Sequence, residues 1–94
     1  MDCTGVSFSG HALRRMFERG LNQQAILDTI AGGEVIAEYP DDQPYPSCVM
    51  RGFVEGQPVH VVVAREPERH ACFVVTAYRP DPGIWSDDFK TRRQ

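Results

Sequence analysis

The chain has 94 residues, 41% of them hydrophobic and 24% charged, with a formal net charge of −3. That length supports a single domain spanning residues 1–94, with one two-layer core and no second domain. No apolar run approaches the roughly 20 residues needed to cross a bilayer, and the N-terminus lacks a signal-peptide pattern, so a soluble cytoplasmic protein is expected. A negative balance counts against a nucleic-acid binder as a whole, because phosphate neutralisation needs clustered Lys and Arg. The charge is uneven, however: residues 34–56 hold one Arg and five acids, and residues 57–94 hold six basic against five acidic residues. Cys3, Cys48 and Cys72 are odd in number, far apart and never in a C-x-x-C pair, which predicts reduced thiols and no zinc site.

The first predicted element is a helix over "GHALRRMFER", with Ser9 as N-cap and Gly20 as its stop. At 100° per residue Ala12, Leu13, Met16 and Phe17 share its inward face, and His11, Arg15 and Arg19 line the opposite side. Asn22 caps a second helix, "QQAILDTIA", with Ile26, Leu27 and Ile30 inward and Gly32-Gly33 ending it. "EVIAEY" then reads as a strand, stopped by the proline-rich loop "PDDQPYP".

Three further strands follow, "SCVMRGFV", "VHVVVAR" and "ACFVVTAYR". The "EG" dipeptide after the first predicts a tight hairpin pairing Val54 with Gln57, which sets Arg51 opposite His60. For the next pair, matching the apolar faces of Val59, Val61 and Val63 with Phe73, Val75 and Ala77 predicts Val63 opposite Phe73 and His60 opposite Thr76, with Tyr78 nearby. The two helices are expected to cover that apolar face. The other face, with Arg51, His60, Thr76 and Tyr78, is expected to stay largely open. Beyond "PDPG", the segment "WSDDFKTRRQ" is expected to form one or two helical turns capped by Ser86, with Trp85 and Phe89 available to dock it. Its basic finish, Lys90, Arg92 and Arg93, is expected to fray as a solvated tail or, as the alternative, to reach over the open face.

A histidine in a valine strand, beside an arginine and a phenol, has the composition of a phosphodiester site. Imidazole carries protons near neutral pH, guanidinium holds phosphate, and RNA supplies its own 2′-hydroxyl nucleophile, so no metal or cofactor is required. Phosphate loops, dinucleotide fingerprints and metal-ligand spacings are absent from the sequence.

The elements "FSGHALRRMFERGL", "GGEVIAEYPDDQPYPS", "GQPVHVVVA" and "VVTAYRPDPGIW" closely resemble the uncharacterised bacterial family called domain of unknown function 4258, over residues 7 to 93. That family is similar to RelE-like and BrnT-like toxins. The resemblance implies an α+β fold with two N-terminal helices on one face of a four-stranded, mainly antiparallel sheet. It also implies a metal-independent endoribonuclease of a toxin–antitoxin pair, with RNA, free or on the ribosome, as substrate and a small zinc-finger antitoxin as partner. By position, the family's polar residues are His11, Arg15, Arg19, His60, Thr76 and Tyr78. With Arg51 added from the strand register, the site would use His60, His11 and Tyr78 as catalytic groups and Arg15, Arg19, Arg51 and Thr76 to hold substrate. The alternative is a non-catalytic domain of the same fold that binds a protein or ligand, with Trp85, Tyr39 and Tyr45 as contacts.

Overall fold

A computed structural model describes all residues 1–94. The elements, in order, are β1 (Gly5–Phe8), α1 (Gly10–Glu18), α2 (Gln23–Gly32), β2 (Glu34–Tyr39), β3 (Ser47–Val54), β4 (Gln57–Arg65) and β5 (Ala71–Tyr78). The sheet has five strands in the order β1-β5-β4-β3-β2. β1 runs parallel to β5, and the other pairs are antiparallel.

The α+β class stands, but the expected four-stranded sheet headed by two helices does not. A strand precedes the helices and makes the sheet five-stranded and mixed. β1 is only four residues long, and its pairing with residues 71–74 is parallel and distant in sequence, so no local pattern announces it. The two helices then carry the chain from one edge of the sheet to the other, a span of about 19 Å for five strands.

Both helices start at the expected caps. The Ser9 side chain accepts from the Ala12 amide and the Asn22 side chain from the Ala25 amide, each satisfying an orphan donor of the first turn. Gly20 takes a left-handed φ of 68° after α1. Ala12 and Met16 are buried against β5, whereas Leu13 and Phe17, expected inside, are exposed, Phe17 to 87%. The helix meets the sheet along a narrower stripe than its apolar face. α2 lies on β3 and β4 with Ile26, Thr29 and Ile30 buried.

The β3–β4 register is the expected one, with Arg51 opposite His60 and Val54 opposite Gln57. Glu55 and Gly56 both have positive φ, 54° and 77°, as the twist-matched two-residue hairpin turn requires. The β4–β5 register differs from expectation. His60 faces Tyr78 and Val61 faces Ala77, but Val63 faces Val74, so Val75 is an extra, unpaired residue. This bulge swaps the faces of β5 along its length. Cys72, Val74 and Ala77 enter the core with Val59, Val61, Val63, Met50 and Met16, while Phe73 and Val75 point out. Each of the fully buried valines contributes about 1.5–3 kcal/mol relative to exposure.

The cysteine expectation is also overturned: Cys3 and Cys72 form a disulfide, and only Cys48 is free. The parallel pairing of β1 sets Val6 beside Cys72 and brings the preceding segment into reach. No helix is long and apolar enough to cross a membrane.

Two glycines let α2 sit directly on β3 next to Arg51. A Cβ on Gly52 would stand 2.6 Å from the Thr29 Oγ1, and one on Gly33 2.7 Å from the Arg51 carbonyl oxygen. Gly52→Ala should therefore destabilise the chain by about 1–3 kcal/mol through overpacking, measurable by urea denaturation. Cys3→Ser should cost about 2–5 kcal/mol, because the disulfide closes a loop with a sequence separation of 69. Its urea midpoint should match that of the reduced wild type.

Candidate functional site

The face of the sheet turned away from the helices gathers side chains from four strands. Glu34 comes from β2, Arg51 from β3, His60 from β4, and Thr76 and Tyr78 from β5, in the alternation that the registers impose. This face was expected to be open, yet His60 has 0% exposure. What covers it is the C-terminal segment, which is neither a helix nor a frayed tail.

After β5, Asp81 organises the turn of "PDPG": its carboxylate accepts from the Gly83 amide and its carbonyl from the amides of Ile84 and Trp85. Residues 85–92 then close on themselves. Trp85 bridges Arg92, the Ser86 amide donates to the Thr91 carbonyl, and the Arg93 amide donates to the Ile84 carbonyl. Ser86, expected to cap a helix, instead donates its hydroxyl to Asp88 at 2.6 Å. Phe89 adopts a left-handed φ of 56° that no helix permits.

This closed loop delivers two consecutive carbonyls to the face. The Phe89 oxygen lies 2.7 Å from His60 Nε2, and the Asp88 oxygen accepts from Arg51 Nη1 at 2.7 Å. Trp85 packs edge-on against the imidazole, with ring centroids 4.5 Å apart, and Arg92 stacks over the indole at 5.6 Å. Lys90 joins Arg51 on the Glu34 carboxylate, each at 3.1 Å. Farther along the same face, Tyr45 of the proline-rich loop stacks on Phe73.

The chemistry of His60 follows from its partners. A carbonyl only accepts, so the proton sits on Nε2, and Nδ1 is left to accept from the Tyr78 hydroxyl at 3.3 Å. Burial pushes the imidazole pKa below 6.5, the Phe89 carbonyl opposes that shift, and the Arg51 charge adds to it. Burial likewise raises the Tyr78 phenol. His60 is thus a neutral, fully bonded imidazole at neutral pH. Arg51 is less completely satisfied, because its Nε is buried without a hydrogen-bond partner.

Of the residues singled out in the sequence, the fold brings together Arg51, His60 and Tyr78, with Thr76 facing Val62 two positions along β5 from Tyr78. It does not bring the α1 line to them. His11 is exposed on a helix in the other layer, and Arg15 forms an exposed pair with Glu18. Arg19 turns to the sheet edge and donates to the Ala77 carbonyl at 2.7 Å. Lys90 does reach over this face, as its place in the basic C-terminal run allowed. The carbonyls of Asp88 and Phe89 went unremarked in the sequence, since a backbone oxygen has no residue signature, and Glu34 stood there only as one acid of a charged segment. Nowhere do three or more His, Cys, Asp or Glu side chains gather in a metal-ligating group.

The unfolded imidazole titrates near 6.5 and the folded one lower, so on acidification the unfolded chain takes up this proton first. Stability from neutral His60 is present above about pH 6.5 and is lost as pH falls through its folded pKa. Between about pH 7 and pH 5, wild type should lose stability in urea melts, and this slope should be absent from His60→Gln. Trp85 is the sole tryptophan, and its emission should shift to the red in wild type over the same interval.

A family model described as Domain of unknown function (DUF4258) matches residues 8–79, which include α1, α2 and β2 to β5 with Arg51, His60, Thr76 and Tyr78. No curated protein and no solved structure matches the chain. With most of its length matched, the chain belongs to the family described as Domain of unknown function (DUF4258).

Proposed function

We propose that this domain is a non-catalytic binding module whose docking face is built on Arg51, His60 and Tyr78. The observation that carries this is the state of His60: no exposure, with both ring nitrogens engaged. A general acid or base must reach the proton that it moves, directly or through one water. An imidazole roofed by Trp85 and bonded to Phe89 has no free nitrogen for that task. Its chemistry here is to hold a polypeptide carbonyl.

A second reading is favoured by the register alone. Arg51, His60 and Tyr78 stand on adjacent strands on one face, which is the set a metal-independent ribonuclease toxin would use once the C-terminal segment lifted. His60 would then accept the 2′-hydroxyl proton and Arg51 would hold the phosphate. Such an enzyme would act on RNA, free or on the ribosome, and be neutralised by an antitoxin, for which a small zinc-finger protein is the candidate.

Tightly induced expression of wild type beside His60→Ala, with total RNA examined in the same cultures, separates the two. The binding module leaves growth and RNA intact in both strains. Growth arrest with RNA cleavage that falls about 10²- to 10⁴-fold in the variant, at equal soluble protein, would overturn it in favour of the ribonuclease.

A further inference from the structure

We infer that the Arg51–His60–Tyr78 face is a polypeptide-docking site which the chain fills with its own C-terminal loop. The partner is then a protein loop or tail that presents an aromatic ring, two consecutive backbone carbonyls and an acidic side chain. This rests on the binding-module reading and states what the module binds.

The present occupant defines the chemistry. Every group that the face offers at its centre is a donor or an aromatic wall: the Nε2 proton of His60, the guanidinium of Arg51, and the rings of His60 and Tyr78. What the loop supplies in return is backbone and one ring. The carbonyls of Asp88 and Phe89 accept the two hydrogen bonds, and Trp85 fills the aromatic corner. Two successive carbonyls turned the same way, which takes the left-handed φ at Phe89, are a feature of polypeptide in a tight turn. Any chain in that conformation can reproduce them; single-stranded RNA, whose bases and phosphates also offer rings and acceptors, is the competing occupant that the test includes.

The loop is an incomplete ligand. Arg51 Nε is buried and unpartnered although the same guanidinium donates to the loop, and the loop's carboxylates are directed elsewhere: Asp88 to Ser86 and the Lys90 amide, Asp87 to Arg93. A partner with an Asp or Glu side chain reaching Nε would satisfy the donor that the loop leaves unmet. Lys90 on Glu34 shows that a basic residue is accepted at the rim of the same site. The loop also lies beyond residue 79, where the family match stops, while all three face residues lie within it. The binding face thus belongs to the matched region, and its cover lies outside it.

Displacing a tethered loop means competing with a high effective concentration, so the test loosens the loop in the full-length chain. A dye-labelled peptide with the sequence of residues 80–94 is titrated into wild type, Trp85→Ala, and the double variant Trp85→Ala/Arg51→Met, and fluorescence anisotropy is followed. The expected result is saturable 1:1 binding to Trp85→Ala at least tenfold tighter than to wild type, and lost in the double variant. A peptide in which Gly83 to Phe89 are scrambled should not bind. If Trp85→Ala fails to give the wild-type circular dichroism spectrum, Lys90→Glu, a surface reversal facing Glu34, replaces it under the same criteria.

No binding to a folded, loosened chain overturns the inference. So does equal binding to all three proteins, or capture of a labelled single-stranded RNA in place of the peptide. The failure of the underlying reading is read separately: His60-dependent RNA cleavage sinks the binding module itself, while intact RNA with no peptide binding sinks only the inference.

Discussion

The hydrogen bond from His60 Nε2 to the Phe89 carbonyl, made beneath the Trp85 ring, holds the C-terminal segment that follows β5 in place. An imidazole at 0% exposure is tolerated only if both nitrogens are partnered, because an unmet buried donor or acceptor costs about 1–3 kcal/mol. Tyr78 meets one need and Phe89 the other. The Phe89 carbonyl reaches His60 from a left-handed residue in a closed loop, and the same loop turns the Asp88 carbonyl toward Arg51. One buried imidazole, with Arg51 and Glu34 beside it, thus anchors a third layer over part of a two-layer domain.

Both chain ends are folded back on the strand that carries Tyr78 or on its neighbours. The N-terminal segment adds β1 to the edge of β5 and is joined to it by the Cys3–Cys72 disulfide. The Asp2 carbonyl accepts from Arg65 and the terminal amine donates to the Ile30 carbonyl. The C-terminal segment covers the opposite face. β5 is therefore packed by α1 on one side, by β1 along one edge and by β4 along the other. Its bulge at Val75 lets Cys72 and Val74 share the core with Ala77 while Tyr78 faces His60.

This arrangement changes the chemistry that the residue types suggest. In solution a histidine beside an arginine and a tyrosine is a proton carrier next to an anion binder. Buried, neutral and bonded twice, it becomes a fixed donor for a peptide carbonyl. The arginine shares Glu34 with Lys90, but its Nε remains unmet. Binding geometry dominates over acid–base capacity in this closed form.

What the sequence determined by itself is local. Ser9 and Asn22 cap the helices through hydrogen bonds to amides three residues on, and Glu55-Gly56 sets the β3–β4 hairpin through two residues of positive φ, which places Arg51 opposite His60. These features rest on groups a few residues apart, so their pattern is written in adjacent letters. Only the tertiary structure decided the parallel β1, the Val75 bulge, the disulfide, and the loop over His60. The first, third and fourth depend on contacts tens of residues apart, and for the bulge alternation alone cannot register an inserted residue that flips a face. The same limit separated the candidate site residues. Strand register united Arg51, His60 and Tyr78, whereas the spacing of His11, Arg15 and Arg19 described one side of a helix and could not say which layer that helix would occupy.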